Sequence, residues 1–162
     1  MTKLGKAFGK KFEERKDEVR VREFELGGHK FRVRVPLTVE SDAIQQKVLN
    51  IDEEKVEQYY AQSVKDIEAN KDAMGQIEGI EFKDNDIIVQ GRSMREAAKM
   101  KYASEVRVLE MVKLLVPEDK SFDMEDLTYE DIEEVFPLPV QLELVEKISE
   151  VISFDYHRTR KK

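Results

Sequence analysis

Apolar and polar residues alternate twice between positions 22 and 35, in REFELGGHKFRVRV, on either side of Gly27-Gly28. Period-two alternation marks a half-buried strand, and Gly-Gly suits a two-residue hairpin turn. That turn predicts a register in which Leu26 faces His29, Glu25 faces Lys30, Phe24 faces Phe31 and Glu23 faces Arg32. One face then carries Leu26, Phe24, Phe31 and Val33. The other carries two opposite-charge pairs, worth roughly 0.2–1 kcal/mol each. Residues 77–90, IEGIEFKDNDIIVQ, read as a second hairpin: Ile80 and Phe82, a Lys83-Asp84-Asn85-Asp86 turn, then Ile87-Ile88-Val89, with Gly91 ending it.

Elsewhere the apolar spacing changes to three and four, the period of a helix with one buried face. Pro36 closes the second strand, and Ser41 or Asp42 can cap a short helix through Leu49. Asp52-Glu53-Glu54 places acid at the positive end of a helix running to about Ala73, with Val56, Tyr59, Tyr60, Val64 and Ile67 on its apolar side. Ser93-Met94-Arg95-Glu96 has the spacing of a capping box. It opens a helix over 94–116 whose main stripe is Met94, Ala98, Val106, Leu109, Val112 and Val116, with Pro117 as the stop. Thr128 with Asp131 can cap another short helix. Phe136-Pro137-Leu138-Pro139 predicts a rigid elbow with Leu138 extended. A last amphipathic helix follows, with Leu142, Val145, Ile148 and Ile152 on one stripe and Glu143, Glu146 and Glu150 away from it.

The predicted fold is α+β: a small antiparallel sheet from two β-hairpins, packed by three main helices near 42–50, 53–73 and 94–116, plus a C-terminal helical appendage. At the start of the chain Leu4, Phe8 and Phe12 recur every four residues, but Gly5 and Gly9 each weaken a helix by about 1 kcal/mol. Residues 1–18 are therefore expected to be a basic tail, frayed alone and able to order on a partner. The remaining boundaries fall at 19–117 for the α+β core, 118–155 for an acidic segment with C-terminal helices, and 156–162 for a second basic tail.

Composition sharpens this picture in two ways. With apolar residues at 40% and charged residues at 39% of 162, the core is modest and the surface densely charged. There is no cysteine, so a disulfide framework, a zinc ribbon and a thiol nucleophile are excluded. The net charge of −7 is unevenly spread. Residues 1–35 hold 11 Lys and Arg against 6 Asp and Glu, and the last five add four more cations, whereas 118–134 hold nine acids and one lysine. An acidic body disfavours nucleic acid and points to a protein partner. No apolar run of secretory or membrane-spanning length is present, so the expectation is an intracellular protein with no membrane partner.

Candidate chemistry is thin. The two histidines, His29 and His157, lie far apart and beside no nucleophile in sequence. Asp84-Asn85-Asp86 starts like a calcium loop, but Ile88 stands where the third oxygen ligand is needed and Val89 where glycine is. Neither a Gly-x-Gly nor a Gly-Lys-Ser/Thr phosphate cradle occurs. The reading is of a non-enzyme with no catalytic residue, no metal and no cofactor. What remains is the stretch 118–153: either Leu142, Val145 and Ile148 simply pack on the core, or part of the stretch forms an adaptable groove for amphipathic partner helices. Its candidate contact residues are Phe122, Met124, Leu127, Phe136, Leu138, Leu142, Val145 and Ile148, with Met74, Met94, Met100, Met111 and Met124 able to repack. The alternative is a small nucleic-acid-associated regulator acting through its basic ends, Lys3, Lys6, Lys10, Lys11, Arg15 and Lys16 among them.

The opening Phe/Val/Arg hairpin, the helices and second hairpin after it, and LTYEDIEEVFPLPVQLELVEKISEVI (127–152) together resemble tail assembly chaperones of long-tailed bacteriophages. The resemblance implies a protein that coats the long helical tape-measure protein in the host bacterial cytoplasm, keeps it soluble, and leaves as tube subunits polymerise, so that it is not expected in the mature virion. It also implies a longer frameshifted product that contacts the tail-tube protein, for which Lys161-Lys162 would suit an A-rich slippery site, and it admits a homo-oligomer.

Overall fold

A computed structural model describes residues 1–153 of the chain. The basic tail expected over 156–162, with His157 and Lys161-Lys162, lies outside the described residues. The fold is α+β, with helices α1 (Lys3–Phe8), α2 (Lys10–Arg15), α3 (Thr38–Leu49), α4 (Glu53–Ala69), α5 (Lys71–Met74), α6 (Met94–Val112), α7 (Tyr129–Val135) and α8 (Leu138–Ile152). Strands β1 (Val21–Leu26) and β2 (His29–Arg34) form one sheet. Strands β3 (Ile80–Lys83), β4 (Asp86–Val89) and β5 (Arg92–Ser93) form another. The two hairpins thus build separate sheets rather than the single small sheet expected.

The chain divides into two compact units: Met1–Asp42 together with the chain from Val108, and Ala43–Arg107. These are not the boundaries that composition suggested at 18/19 and 117/118, because the contacts that join the first unit are distant in sequence. In that unit β1 and β2 pair as predicted, Leu26 to His29 through Glu23 to Arg32. Gly27 and Gly28 both take positive φ, 58° and 80°, as a type I′ turn requires. Phe24 and Phe31 stack at 5.4 Å, and Val33 is fully buried. The segment after α6 adds to the edge of β2: Arg34 N–H donates to the Leu114 carbonyl and Val116 N–H to the Arg32 carbonyl. This pairing ends α6 at Val112, four residues before the expected stop. Helix α8 lies against β1 and β2.

The N-terminal segment is not a frayed tail but a pair of short helices joined at Gly9. The Glu13 carboxylate accepts from the Thr2 N–H at 3.2 Å, the Thr2 hydroxyl at 2.7 Å and Lys16 Nζ at 2.7 Å. Gly5 permits this, since a Cβ there would overlap that carboxylate. These side-chain bonds, invisible to a propensity argument, offset the glycine cost. Helix α3 begins at Thr38 rather than near 42 because Glu40 reaches back to accept the Leu37 N–H at 2.7 Å, capping a start that no Ser, Asp or Asn marks.

In the second unit α4 supplies Val56, Tyr60 and Val64 to a core completed by Ile87 of β4 and Ala98 of α6. Asp52 caps α4 through the Glu54 and Lys55 N–H groups. Asp86 accepts from the Ile87 N–H, the Arg95 N–H and the Ser93 hydroxyl, so it fixes β4 and the start of α6 together. Ser93 also accepts the Glu96 N–H, the half of the expected capping box that faces the helix. The unexpected strand β5 follows a two-residue turn at Gln90-Gly91, where Gln90 takes φ 52°, a conformation that its side chain gives no reason to expect.

Candidate partner-binding surface

Most of the candidate contact residues lie on and around the α7–α8 elbow of the first unit. Thr128 and Asp131 form a complete capping box at the start of α7. Two hydrogen bonds from Thr128 hold the Asp131 carboxyl below the usual carboxylate range. Gln141, 2% exposed, locks the elbow. Its Nε2 donates to the Phe136 carbonyl at 2.8 Å and its Oε1 accepts the Tyr129 hydroxyl at 2.9 Å, so a polar side chain sits inside α8 with both ends satisfied. Pro137 is extended, but Leu138 is already helical, contrary to the extended geometry expected of it. Pro139 is tolerated there because the first turn of a helix leaves its N–H groups unbonded anyway.

The buried face of α8 is Gln141, Leu144, Val145 and Ile148. The predicted stripe through Leu142 is therefore rotated, and Leu142 points outward. The eight candidate contact residues separate accordingly. Phe122, Leu138 and Leu142 are exposed, at 47%, 56% and 50%. Met124, Leu127 and Phe136 are half-buried. Val145 at 8% and Ile148 at 0% belong to the core and cannot meet a partner without unfolding. Val135, which the sequence reading did not single out, is 68% exposed at the end of α7. Val135, Leu138 and Leu142 follow one another across the elbow as an exposed apolar ridge. The missed signal was Gln141: taken as buried, it would have set the frame of α8 and turned Leu138 and Leu142 to solvent.

The segment that carries the ridge is acidic. Residues 118–153 carry twelve carboxylates and two lysines. Some are occupied within the fold: Asp119 by Ser121, Asp123 by the Glu125 N–H, and Glu125 by Lys113 at 3.5 Å. Glu130, Glu134, Glu143, Glu146 and Glu150 are exposed and enter no ion pair among the described residues.

Other features of the described residues offer less. Leu4 and Phe8 are exposed on α1. In the second unit a cleft of about 200 Å³ between α4 and α6 is lined by Tyr59, Gln62, Ser63, Met94, Ala97 and Lys101. It is smaller than the roughly 300–1,000 Å³ of small-molecule sites and fits a side chain at most. Of the methionines expected to repack, Met111 is buried and Met100 exposed, with Met74, Met94 and Met124 half-buried. His29 lies at the hairpin turn with its ring 4.6 Å from Phe31. Asp86, the one acid of the calcium-like turn used by the fold, is engaged three times. Burial would raise its carboxyl, but the bonds from Ser93, Arg95 and Ile87 outweigh this and hold it below the ordinary range. Among the described residues no three His, Asp or Glu side chains converge as a metal site, and no helix is long and apolar enough to cross a membrane.

The chain matches no protein-family model, no curated protein and no solved structure in the comparisons made.

Proposed function

We propose that this chain is a tail assembly chaperone of a long-tailed bacteriophage, which binds the helical tape-measure protein in the host cytoplasm and keeps it dispersed until tube subunits replace it. The observation that carries the reading is the exposed ridge Val135–Leu138–Leu142, held on a rigid elbow by the buried Gln141. Each of the three side chains is at least half exposed. At about 1.5–3 kcal/mol per fully buried side chain, covering them supplies roughly 3 to 5 kcal/mol before the entropic cost of association. A grip this weak suits a transient coat: many copies along a long apolar helix hold it together, and each copy is displaced singly. The negative charge of the body keeps loaded complexes apart. A longer frameshifted product contacting the tail-tube protein belongs to the same proposal.

The test is retention of the tape-measure protein encoded in the same genome on immobilised chain. Retention at low salt is expected, and its absence would count against the reading. A second reading, a nucleic-acid-associated regulator, draws on Lys3, Lys6 and Lys11, which are exposed on the N-terminal helix pair. Tight, salt-sensitive DNA or RNA binding in a gel shift would favour it instead.

A further inference from the structure

We infer that the ridge Val135–Leu138–Leu142 docks an amphipathic helix whose apolar stripe is bordered by lysine or arginine. The partner's being a helical protein rests on the chaperone reading above, and the choice of surface and of flanking charge rests on the elbow itself. At 100° per residue, Leu138 and Leu142 lie 40° apart on α8 and Glu146 lies another 40° round, with Glu150 and Glu143 beyond it. On the other side the helix turns into its buried face at Val145. The exposed apolar line is thus bounded on its solvent side by carboxylates. Glu130 and Glu134 on α7, the helix that ends at Val135, are exposed as well.

These acids decide among occupants. They pair with no cation among the described residues, so their charge is open to whatever covers the ridge. An anionic lipid surface or a nucleic acid would bring phosphates within the roughly 8–10 Å over which charges act in physiological salt, and would be repelled. A helix with acidic borders meets the same repulsion. A helix with basic borders gains ion pairs along the edge that faces these carboxylates while its stripe covers the leucines. The four-residue spacing of Leu138 and Leu142, about 6 Å along the axis, matches the i, i+4 rows by which one helix seats on another.

The experiment titrates the full chain with three fluorescent helical peptides of equal length: a leucine stripe bordered by lysine, a leucine stripe bordered by glutamate, and an alanine stripe bordered by lysine. The first should bind about tenfold or more tighter than either control. Leu138→Ser with Leu142→Ser should weaken it about tenfold; both positions are exposed, and an unchanged thermal melt confirms the fold. Glu143→Gln with Glu146→Gln should weaken it and flatten its salt dependence. Equal binding of the two leucine peptides overturns the proposal, as does unchanged binding by the serine variant. Self-association of the chain that only the serine variant loses also overturns it, by assigning the ridge to a second copy. If the serine variant still retains the tape-measure protein, the ridge assignment fails and the chaperone reading stands. If the peptides discriminate but the tape-measure protein is not retained, the reverse holds.

Discussion

Glu13 accepts three hydrogen bonds that tie the N-terminal helix pair together. Lysine 16 and Thr2 bond to it, and together they lower its carboxyl from the ordinary 4.5 to about 2. Its side chain is only 18% exposed although it sits near the start of the chain. A group whose folded value is depressed contributes stability that is present above its unfolded value and is lost as pH falls through the folded one. The α1–α2 pairing should therefore be intact above about pH 4.5 and weaken between there and about pH 2. Glu13→Gln should reproduce the weakened state at neutral pH. Amide exchange reads this directly: Gly5, Lys6 and Gly9 N–H groups should exchange faster in the variant while β1 and β2 are unaffected. Unchanged exchange would mean the helix pair is held by something else. The sequence showed the glycines and their cost at this segment. It did not show that Gly5 is where a carboxylate eight residues later comes to rest.

At the scale of elements, what was legible depended on how many local signals agreed. The β1–β2 register was readable because alternation, turn composition and charge pairing all selected it. The end of α6 was not, because what stops it is pairing of Leu114 and Val116 with β2, about eighty residues earlier in the chain. Helix α8 failed in a more instructive way. It carries apolar residues on two neighbouring arcs, and the arc that is buried includes a glutamine. A polarity pattern therefore favoured Leu142 over Leu144, whereas packing favours Leu144, fully buried, over Leu142, half exposed. Leu144→Ala should cost about 2–5 kcal/mol through the cavity it leaves. Leu142→Ala should stay within about 0.5 kcal/mol. Urea unfolding of the two variants checks this, and equal losses would contradict the frame of α8 described above.

At the scale of the molecule, the α+β class was legible from the mixture of periods, while the division of the chain was not. Composition draws lines where charge changes. Compact units form where contacts close, and the hairpin near the start packs with the last helix. That closure gives the C-terminal elbow a rigid support, so its outward residues are presented to solvent by a folded body and not by a loose acidic extension. The proposed chaperone function gives the acid two roles, keeping loaded complexes apart and choosing what the ridge will hold. The measurement that tests its central claim most directly is the soluble fraction of the tape-measure protein when it is produced with and without this chain. A clear rise in soluble tape-measure protein with the wild-type chain, reduced by Leu138→Ser with Leu142→Ser, is the predicted result. The same soluble fraction whether or not the chain is present would contradict it.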